Sequence, residues 1–329
     1  LLKIGLIGCG YLGSRHLKHL CKLDGIEVSA VWDNSLSARD KAVKEFSIPV
    51  ASSLKDLINK SDAVDIVTPT STHCKIGLEV VNAGLPIFVE KPICATFIEG
   101  ERLLQEAEAA GVMIQVGHIE RFNRAFRALN GIAVQPRFIE AHRLSFWNPR
   151  GGDVAVIHDL MIHDLDLILT LANDFPIQIH ASGVAVVSDS IDIANVRLEF
   201  SDGLVANVTA SRISVKSMRK LRLFGNREYI ALDMNKGTCE YLGVGANDSE
   251  IPMGAEAIGE IGLDDMQRVL YERLLTAEEG DALQLELAAF RDAVITGSQP
   301  PVSGNDGLKA LKLAEMIVSD IEVHQQKFL

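Results

Sequence analysis

At 329 residues, 47% hydrophobic and 23% charged, the chain has the make-up of an ordinary globular protein, long enough for two domains with separate cores. Its net charge of −12 argues against nucleic acid or an anionic membrane surface as a partner, and any anionic substrate has to be met by local positive groups. The five cysteines, Cys9, Cys21, Cys74, Cys94 and Cys239, show no CxxC or zinc spacing and read as reduced thiols.

In chain order, Leu1-Leu2-Lys3-Ile4 leads into a strand without a secretory n-region or cleavage site, and no later stretch approaches the ~20 apolar residues of a membrane span. A cytoplasmic protein without membrane contact is the expectation. Up to about residue 120, short apolar runs alternate with helical segments, as βαβ units of a parallel sheet do. Strands are predicted at residues 2–7, 27–32, 63–67, 85–89 and 113–116, with a weaker one at 49–51. Helices fall near residues 11–23, 37–46, 53–59, 73–83 and 97–110. Ser53-Leu54-Lys55-Asp56 has the form of a capping box with Asp in place of Glu, and Gly84 and Gly111 read as helix stops. The expected fold class is α/β, with an N-terminal doubly wound Rossmann sheet over residues 1–120.

Gly8-Cys9-Gly10-Tyr11-Leu12-Gly13 follows the first strand and opens the first helix, the context that gives a GxGxxG match its meaning. Gly8 permits the tight turn, Gly10 lets the backbone approach a pyrophosphate, and Gly13 allows the helix to pack on the strand. Asp33 ends the second strand, where a carboxylate bonds the adenosine ribose and repels a 2′-phosphate, so NAD is the expected cofactor. Arg39 and Lys41 lie near enough to keep NADP open. Thr68-Pro69-Thr70-Ser71-Thr72-His73 follows the fourth strand, with hydroxyls for the dinucleotide crevice; Thr72 as a plain helix cap is the other reading. Glu90-Lys91-Pro92 closes the next apolar run. A lysine there stands where open α/β sheets bind ligands, on a turn stiffened by proline.

After Arg137 the pattern changes to one strongly apolar helix at residues 155–171 and strand-like runs at 178–187, 193–200 and 204–211, with Asp202-Gly203 as a hairpin turn. Shorter strands follow at 220–224, 228–232 and 239–242, then a Gly-rich acidic loop at 243–265 and helices at 283–296 and 307–325. Residues 121–329 thus form a second domain, a large, mainly antiparallel sheet with a helix across it, whose terminal helix packs back on the first domain.

Within the apolar helix, Ala155, Asp159, His163 and Asp166 share one face. Removing hydride from a secondary alcohol needs a base for the hydroxyl proton, a role for His163, and a cation for the oxygen, a role for Lys91; Asp159 can bind a neighbouring hydroxyl and tune the pair. An Asp159–His163 surface ion pair, a metal held by His158, His163 and Asp166, and the HD pairs of phosphohydrolases are the competing readings. None of them accounts for Lys91 or the glycines, and no metal is expected.

GCGYLG, TPTSTH, EKP, GHIERFN, the Asp159-x-x-x-His163 pair and the segment from Pro300 to Gly307, taken in this order, resemble the Gfo/Idh/MocA oxidoreductase family over nearly the whole chain. The resemblance implies a Rossmann domain, a second α/β domain whose open sheet serves dimer contact, and nicotinamide-dependent oxidation or reduction of sugars, inositols or related alcohols. It implies a catalytic group of Lys91, Asp159 and His163, a cis Lys91–Pro92 bond, and a cofactor site of Gly8, Gly10, Tyr11, Leu12, Gly13, Asp33, Thr68, Thr70, His73, Glu90 and Lys91. Within the family the chain looks most like the branch containing UDP-N-acetylglucosamine 3-dehydrogenases, although Arg124 stands where branch members often have Pro.

The expected activity is hydride transfer between nicotinamide and a secondary hydroxyl of a sugar or sugar nucleotide, with C3 of UDP-N-acetylglucosamine first. A free polyol or inositol as substrate, a non-catalytic NAD-binding sensor, and a reductase of another carbonyl compound are the alternatives. Arg121, Arg143 and Arg150 are the candidate cations for a diphosphate, against the reading that they serve only the fold. Trp147 can stack on a sugar or base or can pack between domains. A homodimer or homotetramer through the second domain's sheet is expected.

Overall fold

The apolar runs of the first third of the chain form a parallel sheet whose strands are hydrophobic on both faces because helices cover both sides. The computed structural model describes residues 1–148, 154–262 and 267–326. Strands β1 (Leu2–Ile7), β2 (Ile26–Trp32), β3 (Ala63–Ile66), β4 (Ile87–Glu90) and β5 (Ile114–Gly117) lie in the order β2-β1-β3-β4-β5. The weak strand at residues 49–51 is reduced to one parallel bridge, Val31 to Val50. Between the strands run α1 (Tyr11–Leu20), α2 (Leu36–Phe46), α3 (Leu54–Asn59), α4 (His73–Val81) and α5 (Phe97–Ala110).

The caps follow from local chemistry. Ser53 accepts from the Asp56 amide, but the Asp56 carboxylate accepts from Ser52 rather than closing a box on Ser53. The reciprocal box is made by Thr96 and Glu99 at α5. Gly111 ends α5 in the left-handed conformation, at a φ of 65°.

The chain divides into two compact units, residues 1–119 with 280–312, and residues 120–279 with 313–329. The first differs from the expected domain of 1–120 because α8 (Ala282–Thr296, after the short α6 and α7 given below) belongs to it. Leu283, Leu287 and Phe290 of α8 are buried in one cluster with Leu17, Leu20 and Phe88. The rings of Phe88 and Phe290 meet edge to face at 5.8 Å. The Val302 carbonyl accepts from the Val116 amide, so the segment after α8 runs along the edge of β5.

The second unit contains, among the described residues, a nine-stranded sheet in the order β13-β14-β12-β11-β10-β6-β9-β8-β7. Its strands are β6 (Phe138–Leu144), β7 (Gln178–Val184), β8 (Ile193–Glu199), β9 (Val205–Ser211), β10 (Met218–Gly225), β11 (Glu228–Asp233), β12 (Thr238–Gly245), β13 (Glu256–Ile261) and β14 (Arg268–Leu275). All neighbours are antiparallel except β6 and β9. Three strands correct the expectation. β6 alternates buried and half-exposed positions through charged residues, β14 does so over its first four residues only, and β13 lies in the span expected to be loop, exposed at all six positions.

The helix of this unit also starts differently. Residues Ile157–Met161 form a π-helical turn that runs into α7 (Ile162–Ala172), and α6 (Arg124–Arg127) is a single turn. One sheet face, carrying Ile139, Ala141, Val196, Leu198, Val208 and Leu221, is buried; the last helix, α9 (Gly304–Gln326), is shared between the units at residues 312 and 313.

Candidate active site

Two of the three fingerprint glycines are demanded by the chain itself. Gly8 has a φ of +99°, and a side chain there would collide with the Val67 carbonyl oxygen at the end of β3. A Cβ on Gly13 would strike the Gly8 carbonyl, so α1 meets the loop only without one. Gly10 is different. Nothing lies within 4 Å of the Cβ it lacks, and its φ of −68° suits any residue. Open space kept at a helix N-terminus, where amides lack intrahelical acceptors, fits a pyrophosphate. Tyr11 and Leu12 are exposed beside it.

Asp33 is held in place by this loop: its Oδ2 accepts from the Cys9 amide and its Oδ1 from the Ser35 amide, each at 2.7 Å. A fixed anion there discriminates against a 2′-phosphate. Burial, with Asp33 beside it, pushes the Cys9 thiol up to about 12, so this cysteine stays protonated and inert.

The Thr68 loop is braced from within. The Thr72 hydroxyl lies 2.7 Å from Thr68 Oγ1 and 2.8 Å from the Pro69 carbonyl, and it does not cap α4. His73, expected to touch the cofactor, is instead buried between two backbone carbonyls, with Nε2 2.9 Å from Thr68 O and Nδ1 2.9 Å from Pro92 O. Burial holds its pKa below the ordinary value. It fastens the Thr68 loop to the turn that bears Lys91, whose bond to Pro92 is cis, as expected. Glu90 and Lys91 are half-buried, and the Lys91 amide donates to Glu90 Oε2 at 3.1 Å.

In the second unit, Asp159 lies within the π-helical turn and His163 at the start of α7, both half-buried. The rest of the predicted polar face is used by the fold. Asp166 is gripped by Arg121, with Nε to Oδ2 at 2.8 Å and Nη2 to Oδ1 at 2.6 Å. Asp164, on the next face of α7, takes both Nε and Nη2 of Arg143 at 2.8 Å, while Arg143 Nη1 donates to Glu120 at 2.8 Å.

Arg143 is only 3% exposed. Burial works against its charge, but the Asp164 and Glu120 carboxylates outweigh it and hold it cationic. Arg143 is therefore a brace between β6 and α7, and the reading of it as a diphosphate ligand is corrected. Arg121 is likewise committed to Asp166. Trp147 is 40% exposed, with the Arg212 guanidinium 5.5 Å from its ring centroid. Arg150 lies outside the described residues. Among the described residues no group of three or more His, Cys, Asp or Glu side chains could hold a metal ion.

Residues 2–118 match the oxidoreductase family with an NAD-binding Rossmann fold, and residues 124–231 match the Gfo/Idh/MocA C-terminal domain. The UDP-N-acetylglucosamine 3-dehydrogenase of Acidithiobacillus ferrooxidans is 30% identical over 99% of both chains. The chain belongs to the Gfo/Idh/MocA oxidoreductase family. A solved structure of that relative aligns with a TM-score of 0.86 at 28% identity, covering 98% of each chain. The myo-inositol 2-dehydrogenase of Thermotoga maritima is 26% identical, over 98% of this chain and 96% of its own.

As a Gfo/Idh/MocA member, the chain is a dehydrogenase with an NAD-binding Rossmann domain. Two features of it escape a reading by motif. His16 bridges a buried and a half-buried carboxylate, Asp65 and Glu90, and its signal is a histidine on the apolar stripe of α1 formed by Gly13, Leu17 and Leu20. Asp192 accepts from the amides of Val186, Val187 and Ser188 and from Arg212 Nε, and Arg212 donates onward to the Val154 carbonyl just before the π-helical turn. These bonds end β7 at Val184, short of the predicted residue 187. No sequence pattern marks them.

Proposed function

We propose that this oxidoreductase oxidises a secondary hydroxyl of a sugar nucleotide with NAD, C3 of UDP-N-acetylglucosamine being the first candidate. The reading rests on the 30% identity across 99% of both chains to an enzyme of that name. Gly10 with Tyr11 and Leu12, Asp33, Thr68, Thr70, Glu90 and Lys91 would hold the dinucleotide. NAD, when bound, supplies the hydride acceptor.

The chain's own groups have separate tasks. The Lys91 ammonium stabilises negative charge on the substrate oxygen, His163 takes the hydroxyl proton, and Asp159 orients the sugar. Asp33, fixed by two amides, sets the preference for NAD over NADP.

A free polyol is the second reading. It is favoured by the commitment of Arg143 and Arg121 to interior carboxylates, which removes two cations from a diphosphate site. The five free cysteines accord with a reducing cytosol, and no described helix is long and apolar enough to cross a membrane.

We further infer assembly into dimers or tetramers through the sheet face opposite the buried one. Register puts Phe138, Phe224 and Tyr229 side by side there, with ring centroids 5.6 and 5.0 Å apart.

The deciding experiment is NADH formation by the purified protein with NAD and a panel of UDP-N-acetylglucosamine, free hexoses, inositols and hexuronates. Turnover with the UDP-sugar alone is expected. Turnover with a free polyol alone would replace the substrate, and NAD binding with silence across the panel would favour a sensor.

A further inference from the structure

The core of the first unit contains a charged cluster that hydride transfer does not use. His16 Nδ1 lies 2.9 Å from Asp65 Oδ2, and its Nε2 lies 3.1 Å from Glu90 Oε1. His16 comes from α1, Asp65 from the middle of β3, and Glu90 from the end of β4; His16 and Asp65 are fully buried. The other Glu90 oxygen accepts the Lys91 amide. Gly117, paired with Glu90 across the ladder, leaves room for the carboxylate: a Cβ there would sit 3.0 Å from it. The Glu90 carboxylate is thus fixed at both oxygens and from the side.

Both partners of the imidazole are carboxylates, so with both ionised each ring nitrogen has to carry a proton. Burial alone would discharge the ring, and it also holds the Asp65 carboxyl above its usual range against the pull of His16; on the ring itself Asp65 and Glu90 outweigh burial and raise the His16 pKa to about 10. Against the effect of burial, His16 and then Lys91 hold the Glu90 carboxyl below its usual range, and by reciprocity Glu90 favours the Lys91 ammonium. Apolar residues of similar volume would fill this core at least as well as buried charges. Stability therefore does not account for the cluster, and its place between the nucleotide-binding helix and Lys91 points to the site.

We propose that His16 is a positioning residue of the dehydrogenase: by bridging Asp65 and Glu90 it fixes the carboxylate next to Lys91 and ties the pyrophosphate-binding helix to the charge state of that lysine. The inference rests on the reading of Lys91 as the catalytic cation.

The test uses the full chain and two variants. His16→Asn keeps a donor near the Nδ1 position, facing Asp65, and loses the bond to Glu90; His16→Gln keeps a donor near the Nε2 position, facing Glu90, and loses Asp65. Acetylation of Lys91 by acetic anhydride, followed by peptide mass spectrometry, reports how much of the lysine is neutral.

At about pH 8, Lys91 of His16→Asn is expected to react at least about threefold faster than wild type, because a Glu90 carboxylate that has lost its His16 partner takes up a proton; His16→Gln stays near wild type. Equal rates in all three proteins would overturn the proposal. So would an equal acceleration in both variants with matching losses of melting temperature, which would make His16 a packing residue only.

Should neither variant fold, the 15N spectrum of the wild-type imidazole decides. Both His16 nitrogens protonated at about pH 9 supports the bridge, and a neutral ring refutes it. No sugar enters either measurement, so a wrong substrate leaves the result readable, and full turnover by Lys91→Ala would separately remove the catalytic role.

Discussion

Gly10 and Gly13 stand three positions apart in one motif, yet they answer to different constraints. A methyl on Gly13 meets the Gly8 carbonyl, whereas one on Gly10 meets nothing in the chain. Gly13→Ala is expected to destabilise the fold by about 1–3 kcal/mol, measured by urea unfolding. Gly10→Ala should leave unfolding unchanged and raise the Kd for NAD at least about tenfold, or ~1.4 kcal/mol, measured by calorimetry. Loss of stability at Gly10 would contradict the cradle. Lys91→Ala makes the complementary prediction: turnover nearly abolished with a far smaller loss of NAD affinity, since Lys91 would be one of several residues at the proposed cofactor site and the backbone amides at the start of α1 would meet the phosphates. Wild-type turnover in that variant would end the assignment. The residue scale is also where sequence reasoning reached furthest. Glycines, Asp33 and the EKP turn announce themselves because each sits at a strand end, where position alone restricts chemistry. Arg143 did not, because an arginine at a strand end looks the same whether it faces a diphosphate or a buried aspartate.

The strand β6 carries that arginine into the interior against α7. Arg143→Met strips Asp164 and Glu120 of their shared cation and should cost about 3–5 kcal/mol of stability, while KM for the substrate changes little; a raised KM with unchanged melting would restore Arg143 as a ligand. The Asp192 hub sets a pH limit on the turn after β7 and on its tie through Arg212 to Val154. Burial works against its ionisation, but the three amides, Ser188 and Arg212 hold its carboxyl well below the usual range. A depressed carboxylate stabilises the folded chain above its unfolded pKa of about 3.9 and loses that contribution as pH falls further. Melting temperature should therefore drop on acidification below about pH 4, and Asp192→Asn should flatten the drop. The sequence reading located all the Rossmann strands, which are mostly apolar and largely buried, but passed over β6, β13 and β14. Those alternate charge with hydrophobicity, or expose every residue, so burial of a single face or of none leaves a weak trace.

For the molecule as a whole, the sheet of the second unit leaves a face of half-buried aromatic and paired polar side chains, including Phe138, Phe224, Tyr229 and the Arg222–Glu140 pair. Sedimentation should find the wild type as a dimer or tetramer, and Phe224→Asp should shift it toward monomer with NAD binding kept; an unchanged mass in the variant would exclude this face. The division of the chain has a different consequence. The cofactor-binding unit is assembled from two stretches far apart in sequence, 1–119 and 280–312, with α8 completing the apolar cluster around Leu17, Leu20 and Phe88. On the ribosome, the Rossmann sheet is synthesised early but cannot bury that surface until Phe290 has left the exit tunnel. The larger stretch of the nucleotide-binding unit, translated before the second unit, thus finishes folding only after it, and its unfinished face is what a nascent-chain chaperone would encounter.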